Sequence, residues 1–317
     1  MWPRSLVPFA LLSGILLVLL GGDHSAWALP IPDRVERSFQ ADTLERVRFQ
    51  EATDLEVDPR GRLYVADAGR DAIVILSSEG RQLAVLGGTG TRAGQFLDPV
   101  DVDPTNGQTL LVADAGNGRL QRFSEEQQYL ESLPVGRNFE TDRTRRALDD
   151  GRDGSDVRGD GRPIAVASSA GNHTFAIDEH AGTVLKWDEQ RRPERVIGGG
   201  GQRMGRLKQP VALALEGSRR LYVADQGQEA VLVYDRFGTF ERRLPTPPLP
   251  EVRALTFRRG RLWIVCPGRV FVWHATDRRL AEHPVDLPSP LVDVAPFADG
   301  VYLLTKTRLW VREVLRS

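Results

Sequence analysis

One short pattern returns along this chain and limits what it can become. Leu63-Tyr64-Val65-Ala66-Asp67-Ala68-Gly69 recurs as Leu111-Val112-Ala113-Asp114-Ala115-Gly116 and as Leu221-Tyr222-Val223-Ala224-Asp225-Gln226-Gly227. A weaker copy is Phe175-Ala176-Ile177-Asp178. Two eroded copies are Leu262-Trp263-Ile264-Val265-Cys266 and Val301-Tyr302-Leu303-Leu304-Thr305. The anchors at 67, 114, 178, 225, 266 and 305 are 47, 64, 47, 41 and 39 residues apart. A period of about 40–50 residues with little helical patterning is the mark of a repeat architecture, each unit being one supersecondary element.

The fourth unit shows the plan of each copy. Val211–Leu215, Leu221–Ala224, Ala230–Tyr234 and Phe240–Leu244 are apolar, β-branched or aromatic runs separated by Gly, Asp and Arg turns. Short turns make neighbouring runs antiparallel, so each unit is a four-stranded meander. One such sheet cannot bury both faces alone, but six arranged in a ring can, which makes the chain an all-β, six-bladed β-propeller. The sixth unit has runs at Leu291–Ala295, Val301–Thr305 and Leu309–Val314, and no fourth. Val35–Phe39 or Leu44–Phe49 is expected to supply that missing outer strand, so that an N-terminal strand closes the ring.

The copies resemble the NHL-repeat family of β-propellers. Gly94-Gln95-Phe96-Leu97-Asp98-Pro99-Val100-Asp101-Val102-Asp103 is similar to that family's lead-in to a blade. Leu111 to Leu120 is similar to its second strand and following turn, and Gly205-Arg206-Leu207-Lys208-Gln209-Pro210-Val211 repeats the lead-in. The resemblance covers residues 35–317 and is carried by blades 1, 2 and 4, and in part by blade 3. It implies a scaffold fold, since the family includes protein-binding platforms, RNA-binding domains, extracellular sensor domains and a zinc-dependent amidating lyase. The last of these would need about three converging ligands. His173 and His180 fall on opposite faces of the blade plan, and His274 and His283 lie elsewhere, so that branch is not expected.

Residues 1–28 read as a signal peptide. Arg4 precedes an apolar run from Leu6 to Leu20, and Ala26-Trp27-Ala28 offers small residues for cleavage. The protein is therefore expected to be periplasmic or secreted, touching a membrane only if the leader stays uncleaved as an anchor. Residues 29–317 form the propeller. Residues 137–161, between blades 2 and 3, are a charged insertion with too little apolar content to pack, expected to be mobile. The single cysteine, Cys266, sits in an apolar run and is expected to be a buried, inert thiol. Gly198-Gly199-Gly200-Gly201 follows a strand with no helix after it, so it reads as an inter-blade linker rather than a phosphate cradle.

Three groups of residues are candidates for function. The repeated Asp67, Asp114, Asp178 and Asp225 end strands, where a short carboxylate can hold a turn by accepting backbone N–H bonds. Aligning first strands on the Asp-Pro that ends them puts Glu56, Asp101, Ala165, Ala212, Leu255 and Asp293 in one column facing the central channel. Blades 6, 1 and 2 are neighbours, so Glu56, Asp101 and Asp293 are candidate ligands for Ca2+ or another divalent cation. With such an ion the chain would be a metal-dependent hydrolase or lactonase-like enzyme. Without it they are channel lining, or partners of an arginine such as Arg253.

The turns after second strands and the blade lead-ins share a face that carries Arg70, Arg92, Arg119, Arg203, Arg206 and Lys208. The formal net charge of −1, the interleaved Asp71, Asp98 and Glu229 and the leader disfavour nucleic acid there. The reading that follows is a monomeric, non-catalytic protein- or ligand-binding scaffold with no cofactor, with an envelope protein or peptide as its partner.

Overall fold

The computed structural model describes residues 42–136, 139, 159–201, 204–249, 251–298 and 300–313. The leader, the alternative closing segment Val35–Phe39, Arg203 and most of the 137–161 insertion lie outside them. Among the described residues there are six four-stranded antiparallel sheets, and the only helical turns are short 3-10 pieces. The protein is a six-bladed propeller. No helix among these residues is long and apolar enough to cross a membrane.

Five blades are consecutive meanders. Their first, channel-lining strands are Ala52–Val57, Pro99–Asp103, Pro163–Ser168, Pro210–Glu216 and Ala254–Arg258. The sixth blade combines Leu291–Pro296, Gly300–Thr305 and Arg308–Glu313 with the N-terminal strand Asp42–Arg48. Asp42 is opposite Val311 and Arg48 is opposite Arg308. The ring is thus closed by the second of the two segments named from sequence. Val47 and Phe49 pack with Leu304 and Leu309 of blade 6 and Leu55 and Leu63 of blade 1, so closure also buries apolar surface.

The core is six layers, one at each blade junction. Second and third strands are buried on both faces, as in Leu63–Asp67 and Ala72–Leu76, which explains why they read as continuous apolar runs. Outer strands such as Gln82–Gly87 alternate between exposed and half-buried residues. Cys266 is buried, and burial pushes its thiol up to about 11.

The strand-ending aspartates act as locks, though not mainly on the turn that follows them. Asp67 accepts the Gln50 and Glu51 amides at 3.0 and 2.8 Å. Asp114 accepts Leu97 N at 2.8 Å, Asp178 accepts Arg162 N at 3.0 Å, and Asp225 accepts Lys208 N at 2.7 Å. Each therefore ties down the segment leading into its own blade, 16 or 17 residues upstream. The lead-in is held from the other side by an apolar plug. Phe96 and Leu207 are buried, and each sits against a junction glycine. A Cβ on Gly87 would lie 2.2 Å from the Phe96 ring, and one on Gly198 would lie 2.4 Å from Leu207. Both glycines also have positive φ (105° and 80°), which other residues rarely adopt. Gly198 is therefore a fixed part of the junction, beneath Leu207.

Candidate functional site

The central channel is a cavity of about 300 Å³ with one acidic side and one neutral side. Blades 1 and 2 contribute Asp54, Glu56, Asp101 and Asp103, whereas blades 3 and 4 contribute Ala165, Ala212, Leu213 and Ala214. Strand register corrects the alignment of the acidic column. The residue before each strand-ending anchor is opposite Asp54, Asp101, Ala165, Ala212, Ala254 and Asp293. Asp54, not Glu56, therefore shares a level with Asp101 and Asp293, and Ala254 replaces Leu255. Glu56 is opposite Tyr64 and is the equivalent of Asp103, opposite Leu111. The two Asp-Pro pairs are not equivalent. Blade 1 turns tightly after Val57, while Asp103 is still within the first strand of blade 2.

The three aspartates form a relay around the ring. Asp293 of blade 6 accepts Leu55 N of blade 1, Asp54 accepts Val102 N of blade 2, and Asp101 accepts Val166 N of blade 3, each at 3.0 Å. First strands are the inner edges of their sheets and carry unpaired amides. The aspartates supply acceptors for these amides and stitch each blade to the next. One level along, Asp103 continues the pattern by accepting both the amide and, at 2.6 Å, the hydroxyl of Ser168. Arg258 reaches from blade 5 to the carbonyl of Val57 in blade 1, and its guanidinium is 4.0 Å from Glu56.

Burial and mutual repulsion raise the proton affinity of the channel carboxyls. Burial, then Asp293 and Glu56, raise the Asp54 pKa well above the usual carboxylate range. Burial, then Asp54, do the same for Asp101. Burial pushes Glu56 up to about 8, with Arg258 opposing and Asp103 and Asp101 adding to the rise. Burial and Glu56 raise Asp293 in the same way. Asp54 is also within hydrogen-bonding reach of the Asp293 and Asp101 carboxyls. A shared proton between carboxyls is the expected outcome where two charges would otherwise face each other.

The three residues named from sequence as cation ligands, Glu56, Asp101 and Asp293, do not share one level. Among the described residues no three His, Cys, Asp or Glu side chains converge in a way that could hold a metal. Glu56 lies off the level of Asp101 and Asp293, and those two each spend an oxygen on a backbone amide. The expected result is that EDTA leaves the melting temperature unchanged and that elemental analysis of purified protein finds no stoichiometric calcium. A melt lowered by EDTA and restored by Ca2+ would overturn this reading.

The cation-bearing face is also redrawn. Arg119 is not on it. The third strand of blade 2 begins at Arg119, whose side chain is fully buried. Its Nε is 2.8 Å from Asp114 Oδ2, and its Nη2 donates to the carbonyls of Arg92 and Gln95 at 2.9 and 3.1 Å. Sequence placed it in a turn, but it is a clamp on the lead-in. Arg70 is partly committed, with Nε 3.2 Å from Asp67 and Nη2 donating to the Arg48 carbonyl at 2.7 Å. Arg92, Arg206 and Lys208 are exposed, and none has a side-chain partner among the described residues. Arg206 and Lys208 line a shallow cleft of about 600 Å³ at the junction of blades 3 and 4, floored by the backbone of Gly198, Gly199 and Gly200. Thr183 lines it too, and its hydroxyl is buried with no hydrogen-bond partner among the described residues.

No family model matches the chain, and no curated protein matches it in sequence. Solved structures do match in fold. A streptogramin B lyase is 11% identical, with a TM-score of 0.57 over 86% of this chain and 96% of that one. Virginiamycin B lyase from Staphylococcus aureus is 9% identical, with a TM-score of 0.56 over 84% of this chain and 86% of that one. A catalytically inactive variant of that lyase with quinupristin is 9% identical, with a TM-score of 0.55 over 87% and 88%. At these identities the likeness is one of architecture.

Proposed function

We propose that this chain is an exported, NHL-type propeller that acts as a binding scaffold, and that its blade 3–4 cleft takes an acidic segment of an envelope protein or peptide. The observation that carries the reading is the pair of exposed, unpartnered cations, Arg206 and Lys208, beside a cleft with a glycine floor. Backbone without side chains lets an extended segment approach closely, and two cations without internal partners favour carboxylates. The contact between lead-in and strand-ending aspartate supports the NHL-type assignment, because it makes the two halves of the recurring motif one physical unit. The export reading rests on residues 1–28 of the sequence.

A fluorescent glutamate-rich dodecapeptide, with a lysine-rich one as control, tests the proposal by anisotropy. The acidic peptide is expected to bind, and to bind less tightly as salt rises from low to physiological levels. Arg206→Glu/Lys208→Glu is expected to weaken it at least about tenfold. Both positions are exposed, so the melting temperature should move by no more than about 1–2 °C. Equal binding by the parent and the double variant would sink the assignment of this face.

A further inference from the structure

A second cleft lies between the same two blades on the opposite face, where first strands turn into second strands. It has a volume of about 280 Å³, within reach of what a small organic ligand needs. Its walls include Phe175, Leu221 and the ring of Phe237, which is 51% exposed. Set into this apolar surface is Lys186, with only 3% of its side chain exposed. Its ammonium donates to Glu194 at 2.7 Å and sits 5.8 Å from the Phe175 ring centroid. An ammonium has three N–H donors; Glu194 accepts one and the Phe175 ring accepts none, so two have no acceptor among the described residues. Glu194 balances the charge, so what Lys186 lacks is acceptors for its remaining N–H groups, and the cavity beside it is where a ligand oxygen can supply them.

We propose that this cleft binds a small amphiphilic anion, an aryl or short aliphatic carboxylate, with its carboxylate on Lys186 and its apolar body between Phe175, Leu221 and Phe237. The charges around the cleft favour this class. Arg220 is already neutralised by Glu241 at 2.8 Å and Glu216 at 3.4 Å. Glu194 is engaged by Lys186, with His173 Nε2 3.8 Å from its other oxygen. At the rim, Arg236 lies 4.4 Å from the centroid of the Phe237 ring and has no acidic partner among the described residues, so it faces incoming anions. Glu189, also exposed, lines the same cleft.

The test uses the full-length mature protein with phenylacetate, hexanoate, 2-phenylethylamine and benzyl alcohol, followed by ligand-observed NMR and calorimetry. Phenylacetate and hexanoate are expected to bind at one site per chain, and the amine and alcohol to bind at least about tenfold more weakly, since each lacks the charge-assisted contact. Lys186→Gln is expected to cost about tenfold in affinity for phenylacetate. Lys186 is buried, so Phe237→Ala provides an independent check at an exposed position that cannot compromise the core. It should weaken phenylacetate severalfold and leave the melting temperature unchanged. The proposal fails if no carboxylate binds, if the amine binds as well as the acid, or if phenylacetate binds both variants as tightly as the parent. None of these outcomes depends on Arg206 or Lys208, so this cleft and the acidic-segment cleft stand or fall separately.

Discussion

Asp114→Ala is expected to melt roughly 8–15 °C below the parent protein. Four donors converge on this buried carboxylate: Leu97 N at 2.8 Å, Asn117 Nδ2 at 2.9 Å, Arg119 Nε at 2.8 Å and Gln121 Nε2 at 2.9 Å. Removing it leaves the Arg119 guanidinium buried with no counterion, which costs about 3–5 kcal/mol in comparable cases. A domain of this size loses roughly 2–4 °C per kcal/mol. The lead-in to blade 2 loses its anchor in the same step. Asp114→Asn keeps an acceptor but not the charge and should fall between the two. Asp114→Leu/Arg119→Met removes both charges and should recover part of the loss, because a buried pair replaced by apolar groups leaves nothing stranded. A differential-scanning experiment that finds Asp114→Ala within about 2 °C of the parent would show that this lock is not holding the blade.

The second large effect is one of pH. Unfolded aspartate and glutamate titrate near 4. In the folded ring Glu56 holds its proton up to about pH 8, and Asp54, Asp101 and Asp293 are raised in the same direction. Between about pH 4.5 and 8 the folded state therefore binds more protons than the unfolded state, and stability falls as pH rises through that window. Below the window the contribution is complete. Denaturant unfolding at pH 5.5 and 8.5 is expected to differ by on the order of 3 kcal/mol, with the acidic sample the more stable. Glu56→Gln should raise stability at pH 8.5, change little at pH 5.5 and flatten the slope. Asp54→Asn keeps an acceptor for Val102 N and should act in the same direction. A stability that is level or rising from pH 5.5 to 8.5 would mean that the channel carboxyls are ionised throughout.

Architecture was legible because it is written in period. The Val-Ala-Asp anchors, the meander in each unit and the missing strand of blade 6 can be read without side-chain geometry. The channel was less legible. Two Asp-Pro pairs that look equivalent lie at different points of their hairpins, so the letters align Glu56 with Asp101 although that place belongs to Asp54. Hairpin length is set by turn geometry, and local similarity of letters does not report it. The burial of Arg119 is hidden in the sequence for a related reason. A polar residue after Asn117-Gly118 looks like part of a turn, but the strand starts there and the aspartate five residues upstream draws the guanidinium inward. The blade 3–4 cleft around Lys186 had no sequence signal. Phe175, Lys186, Leu221 and Phe237 come from two blades and meet only when blades 3 and 4 pack together.

The closing strand also decides how the molecule yields to force. Asp42 is paired near the end of the final strand, opposite Val311, and Arg48 near its start, opposite Arg308. The two chain ends therefore leave the seam at the same end of the ladder. Tension applied between them opens the seam one hydrogen-bonded pair after another, because an antiparallel pair pulled from adjacent ends peels instead of shearing. Loads applied elsewhere meet whole sheets seated between apolar neighbours. Drawn by its termini, the ring gives way first at blade 6, with the other five blades still folded.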